Sequence, residues 1–167
     1  MATSQKPRKK KPSVSPAEKE RRQSYRDQKE LQGYVNNALA SCRQTFEELE
    51  AALSVVTFTP EEEKEFDEIR TTFYKDLDAF QAEVDENDKK VMAAIDEAFK
   101  DNKVNIEKKL LIMQDVITYQ EITERVLNYM QETENTISAF VERCNSAIKE
   151  ETLNNVEDAE IVEESKE

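Results

Sequence analysis

The side chains best suited to covalent or acid–base chemistry are scarce in this sequence. Its 167 residues include no histidine, and the two cysteines, Cys42 and Cys144, stand far apart in the chain. Without histidine no Ser-His or Cys-His nucleophile pair can form. Zinc and di-metal sites that use imidazole are excluded on the same ground. Both cysteines fall on apolar helical stripes, which predicts buried free thiols rather than a disulfide framework. Gly33 is the single glycine, too few to build a loop that cradles phosphate. Carboxylates are plentiful, at 37 Asp and Glu, but the run Glu61–Glu68 is more simply the acidic first turns of a helix. The expectation is a protein that is not an enzyme and holds neither a metal nor another cofactor.

One stretch superficially resembles the entry to an EF-hand. Phe58 to Phe66 reads FTPEEEKEF, and Asp85-Glu86-Asn87-Asp88 follows. Counted from Asp85, Lys90 stands where the calcium loop requires glycine, Lys89 where it offers oxygen, and Asp96 where it closes with Glu. Asp85–Asp88 is therefore read as a solvated face or a weak point in a helix.

The elements that would carry any site are helical. From Glu61 onward there is neither proline nor glycine, and sheets need turns that favour those residues. In the first helix, Leu31, Val35, Ala38, Cys42, Phe46, Leu49 and Leu53 recur in steps of three and four. Ser15, Pro16 and Glu18 form a plausible start, as N-cap, first position and third position. Ser54–Phe58 favours extended backbone. Thr59, Pro60 and Glu62 then supply the sharpest boundary, the N-cap, N1 and N3 of a second helix. That helix carries Phe66, Ile69, Phe73, Leu77, Phe80, Val84, Asn87, Val91, Ile95 and Phe99 on one face. Lys100–Lys103 is a candidate break; Asp and Asn tolerate turn geometry, although a continuous helix is the alternative.

The third helix has the widest apolar face. Ile106, Leu110, Met113 and Ile117 lead into Ile122, Val126, Met130, Ile137, Phe140, Cys144 and Ile148. The part from Ile117 to Ile148 is where a core, a partner or a second subunit is expected to pack. Together these elements predict an all-α fold: an elongated antiparallel three-helix bundle or coiled coil of spectrin-like architecture, a label that concerns architecture alone. Helices are expected at about 18–53, 60–99 and 104–150 within a domain spanning 18–150. An open hairpin completed by homodimerisation is the competing arrangement.

Charge divides the chain. Residues 1–30 hold 10 Lys and Arg against 4 Asp and Glu, whereas the whole sequence has a net charge of −13. Residues 1–17 combine three prolines with almost no large apolar side chain and are expected to be a disordered basic arm. Lys6, Arg8, Lys9, Lys10 and Lys11, flanked by prolines, resemble a nuclear import signal; a generic basic tail is the other reading. Ser15-Pro16 fits proline-directed kinases, and Ser24 after Arg21-Arg22 fits basophilic ones; phosphate at either would offset the local positive charge. Residues 151–167 are expected to be a disordered acidic tail. Within it, Ile161-Val162 loosely resembles a SUMO-interacting segment.

The resulting expectation is a non-catalytic helical scaffold or adaptor that mediates protein–protein interaction in a nuclear or cytoskeletal assembly. The alternative is a chromatin or nucleic-acid-associated protein that binds through residues 6–29, which the acidic body opposes. No run of about 18 apolar residues predicts a membrane span, and the basic N-terminus lacks the apolar stretch of a secretory signal. The predicted location is nuclear, otherwise cytoplasmic or cytoskeletal.

Overall fold

The computed structural model describes residues 14–164, with side chains from 14 to 146 and at Leu153. It is all-helical: among the described residues there are three long helices and no strand. Helix α1 spans Pro16–Leu53, α2 spans Pro60–Ala98 and α3 spans Ile106–Glu164.

The helix starts follow the capping chemistry in the sequence. The Ser15 hydroxyl accepts the Glu18 amide at 3.2 Å, and the Thr59 hydroxyl accepts the Glu62 amide at the same distance. Both oxygens satisfy donors that the first turn leaves open. Asn105 caps α3 in the same way, taking the Lys108 amide at 3.3 Å. The polar stretch after Pro16 is helical throughout, with Ala17 buried.

The break between α2 and α3 is a tight turn. Lys100–Asn102 forms one 3-10 turn, in which Asp101 and Asn102 both have φ of 57°. This left-handed backbone is tolerated by short polar side chains that bond locally. The Ala98 carbonyl then accepts the Asn105 amide at 2.7 Å and closes the reversal.

One expectation meets a different backbone: Ser54–Val56 turns instead of running extended, and the Val56 amide donates to the Leu53 carbonyl at 3.0 Å.

The chain divides into two units. Unit 1 takes residues up to Val35 and Val84–Glu121; unit 2 takes Asn36–Glu83 and the chain from Ile122. Each long helix gives a segment to each unit.

Unit 2 is held by aromatic packing. Phe46, Phe73 and Phe140 are fully buried and Phe66 nearly so. The rings of Phe46 and Phe73 stack with centroids 4.1 Å apart, and Phe66 lies 6.0 Å from Phe140. Burying each such ring stabilises by about 2–3 kcal/mol. Phe46 meets Phe73 while Glu50 meets Arg70, so α1 and α2 run antiparallel here. Phe66 against Phe140 and Phe73 against Tyr129 give the same relation for α2 and α3. Three packed segments in alternating direction make a bundle-like unit.

Unit 1 has a slimmer aliphatic core of Val35, Val84, Val91, Ile95, Ala98 and Phe99, closed by Tyr119 from α3. Among the described residues no helix is long and apolar enough to cross a membrane.

Candidate functional site

Unit 1 leaves a row of apolar side chains exposed outside its apolar core. On α3, Ile106 is 71% exposed, Leu110 56%, Met113 61% and Ile117 53%. At 100° per residue these four lie within one narrow stripe along the helix. The opposite side of the same segment carries Asp115 and Tyr119, and it is this side that meets α1 and α2. The apolar stripe therefore faces outward. The α3 face read from the sequence as core or partner face is thus divided, with Ile106, Leu110, Met113 and Ile117 outside the core of unit 1.

The reason is visible in the spacing. Successive apolar positions on α3 step by three or four until Ile117, and the next is Ile122. A step of five turns the apolar face by about 140° relative to the segment before it. From Ile122 onward the face points inward: Ile122, Val126, Met130, Ile137, Phe140 and Cys144 are all buried. Ile148 lies outside the described side chains, as does the pair Ile161-Val162.

Beside its apolar core, unit 1 also buries a polar cluster. Gln28 and Asn87 are each only 5% exposed and Tyr119 is 1% exposed. The Tyr119 hydroxyl donates to Asp88 Oδ1, and Gln32 Nε2 donates to Asp88 Oδ2 at 2.6 Å. Asn87 Nδ2 donates to the Asp115 carbonyl at 3.2 Å, and Gln28 Nε2 reaches the Asp88 carbonyl at 3.5 Å. Gln28 Oε1 is buried with no hydrogen-bond partner. Burial and then the Asp88 carboxylate push the Tyr119 hydroxyl well above its usual range, so it stays a donor. Asp115 is also raised by burial, opposed by the charge of Lys90. Asp85–Asp88 is thus no weak point: the helix runs straight through it, and Asp88 is the acceptor that joins α1, α2 and α3. This cluster ties helices together and offers no nucleophile.

The cysteines are free and buried in unit 2. The Cys42 thiol donates to the Met130 sulfur at 3.3 Å. Burial raises Cys42, and burial together with a hydrogen bond to Glu62 pushes Cys144 up to about 11. Thiols held in the protonated form are poor nucleophiles and poor metal ligands. Among the described residues no group of three or more Cys, Asp or Glu side chains is placed to hold a metal ion.

The remaining sequence candidates fall in different places. Lys6, Arg8, Lys9, Lys10 and Lys11 lie outside the described residues. Ser15 is engaged twice, as the α1 cap and as a donor to Asn102 Oδ1 at 3.2 Å. Ser24 is half-buried within α1. Thr59 and Pro60 sit at the start of α2, and the Glu62 carboxylate turns to Cys144. Near the start of α1, Val14, Lys19, Arg21, Arg22, Tyr25 and Arg26 line a shallow basic cavity. Arg21 and Arg22 are drawn to Glu18 at 3.7 and 3.1 Å.

No family model, curated protein or solved structure matches this chain.

Proposed function

We propose that the protein is a non-catalytic helical adaptor, a bundle of spectrin-like architecture that docks another protein helix on the outward face of α3 in unit 1. The observation that carries this reading is the stripe Ile106, Leu110, Met113 and Ile117. Singly exposed apolar side chains are ordinary, but four aligned over three turns match the anchor spacing of helix-in-groove recognition. Assembly within a nuclear or cytoskeletal complex fits the basic segment at Lys6–Lys11, which would act as an import signal. Phosphate on Ser15 or Ser24 would regulate the same end of the molecule.

The test replaces Leu110 and Met113 together with Gln in the full chain. A free docking face predicts that the unfolding free energy in dilute solution shifts by no more than about 0.5 kcal/mol. The same variant should lose crosslinks that a photoreactive side chain at position 114 makes to assembled partners. A stability loss above about 2 kcal/mol would put these side chains in the core and remove the reading.

A second reading, nucleic-acid binding through residues 6–29, is favoured by the cavity that Lys19, Arg21, Arg22 and Arg26 line beside Tyr25. It predicts micromolar binding of a single-stranded oligonucleotide that weakens steeply with salt. Absence of binding at about 50 mM salt would eliminate it.

A further inference from the structure

On α1, Lys19, Arg22, Arg26 and Lys29 follow one another at steps of three, four and three. At 100° per residue they share one side of the helix. It is the side turned away from Ala17, Gln28 and Val35, which are buried. All four cations are exposed. Glu18 draws Arg22, but among the described residues Lys19, Arg26 and Lys29 have no carboxylate partner. The other carboxylates of this segment are engaged: Glu30 accepts the Tyr34 hydroxyl at 3.2 Å, Glu20 holds Lys109 and Asp27 accepts from Gln23. The row therefore keeps uncompensated positive charge.

This row borders an apolar surface. The cavity at Val14, Lys19 and Arg22 is also lined by Tyr25. Tyr25 lines a second hollow as well, with Lys29 and Gln32 of α1 and Lys89 and Met92 of α2. The two hollows share that ring, and both belong to unit 1. Lys29 Nζ stands 4.9 Å from the centre of the Tyr25 ring. Asp88 borders the second hollow, but its oxygens are taken by Tyr119 and Gln32.

We propose that this face is a second docking site, and that it takes a short acidic peptide segment of a partner protein with an apolar side chain among its carboxylates. The carboxylates meet Lys19, Arg26, Lys29 and Lys89, and the apolar side chain rests against Tyr25 and Met92. No residue of the α3 stripe takes part, so the site stands apart from the docking reading above. Three features favour a peptide over nucleic acid. From Lys19 to Lys29 the row is about 15 Å long, the reach of about four or five extended residues and short of the roughly six to ten phosphate contacts of a typical DNA-binding protein. Met92 offers a base no ring to stack on, and Lys29 already lies over Tyr25. The net charge of −13 also repels a polyanion that runs on past the patch, whereas a short peptide stays over it.

Fluorescence anisotropy of the full chain with a labelled peptide of glutamates around a central leucine pair tests this at about 50 mM salt. Binding should saturate, and added salt should weaken it. Arg26→Glu with Lys29→Glu should weaken it at least about tenfold. The melting temperature should hold, since neither cation pairs with a carboxylate. Exchanging the leucines of the peptide for serine should cost about fivefold or more. A wild-type chain that does not bind the peptide overturns the proposal. So does a double variant that binds as well as wild type, which would move the contact to Lys6–Lys11. Equal affinity for the serine peptide overturns it too, because charge alone would then explain binding. A duplex oligonucleotide that displaces the peptide and is itself weakened by the double variant would give the face to nucleic acid. Should charge reversal lower the melting temperature, Arg26→Gln with Lys89→Gln, which only removes charge, decides in its place: weaker binding supports the site and unchanged binding overturns it.

Discussion

Unit 1 and unit 2 are cut from the same three helices and distribute polarity differently. Unit 2 buries stacked phenylalanines, and its exposed large apolar side chains among the described residues, Val55, Val56, Leu127 and Leu153, are scattered. Unit 1 buries Gln28, Asn87 and the Tyr119–Asp88 pair while exposing Ile106, Leu110, Met113 and Ile117. Charge differs as sharply. Over the described residues, unit 1 has 13 acidic against 11 basic side chains and unit 2 has 23 against 7. Unit 2 is thus strongly acidic and repelled by other acidic surfaces. Unit 1 is nearly neutral and keeps its best packing side chains free. Both units bury apolar cores; unit 1 adds buried polar bonds between its helices and keeps one apolar stripe of α3 outside.

The contrast predicts that stability is concentrated in unit 2. Phe46→Ala removes the ring that stacks on Phe73 and approaches Phe66 and Tyr74. It should lower the unfolding free energy in urea by about 3–5 kcal/mol. Tyr119→Phe is the matching change in unit 1, deleting one hydroxyl and leaving the Asp88 carboxylate short of a donor. It should lower stability by about 1–3 kcal/mol, the penalty for an unmatched partly buried acceptor. A Tyr119→Phe loss that equals or exceeds that of Phe46→Ala would reverse the ranking, making the polar cluster the main support of the fold.

Much of the fold was legible because local chemistry decided it. Pro60 after Thr59, and Pro16 after Ser15, announce helix starts, and the structure finds both hydroxyls capping. Cys42, Phe46 and Phe140 were on the stripes that do become core. The turn at Asp101-Asn102 was readable as a candidate only, because αL backbone without glycine leaves a weak signal. For the apolar face of α3, core and partner stayed open for a different reason. Apolar residues at helical spacing say which side of a helix is apolar, but not which side meets its neighbours. That was decided by Tyr119 and Asp115 on the other side, and by Asn87 and Asp88 on a different helix, whose bonds are invisible until the helices are brought together. The step of five from Ile117 to Ile122 was the available clue.

The smallest expected effect sharpens the same contrast from the α1 side. Gly33 lies in α1 near the end of its unit 1 segment, with ordinary helical backbone and no φ above zero. A Cβ added there would meet nothing within 4 Å. No structural demand holds glycine at this position, so Gly33→Ala should raise the unfolding free energy by about 0.5–1 kcal/mol through reduced freedom of the unfolded chain. Native-state hydrogen exchange locates the gain. If unit 1 is the less stable part, its amides at residues 20–35 should slow with the substitution while the most protected amides of unit 2, near Phe46 and Phe73, follow only the global change. Equal slowing in both units would mean that they open together. The contrast between them would then lie in surface and core chemistry, with no difference in local opening.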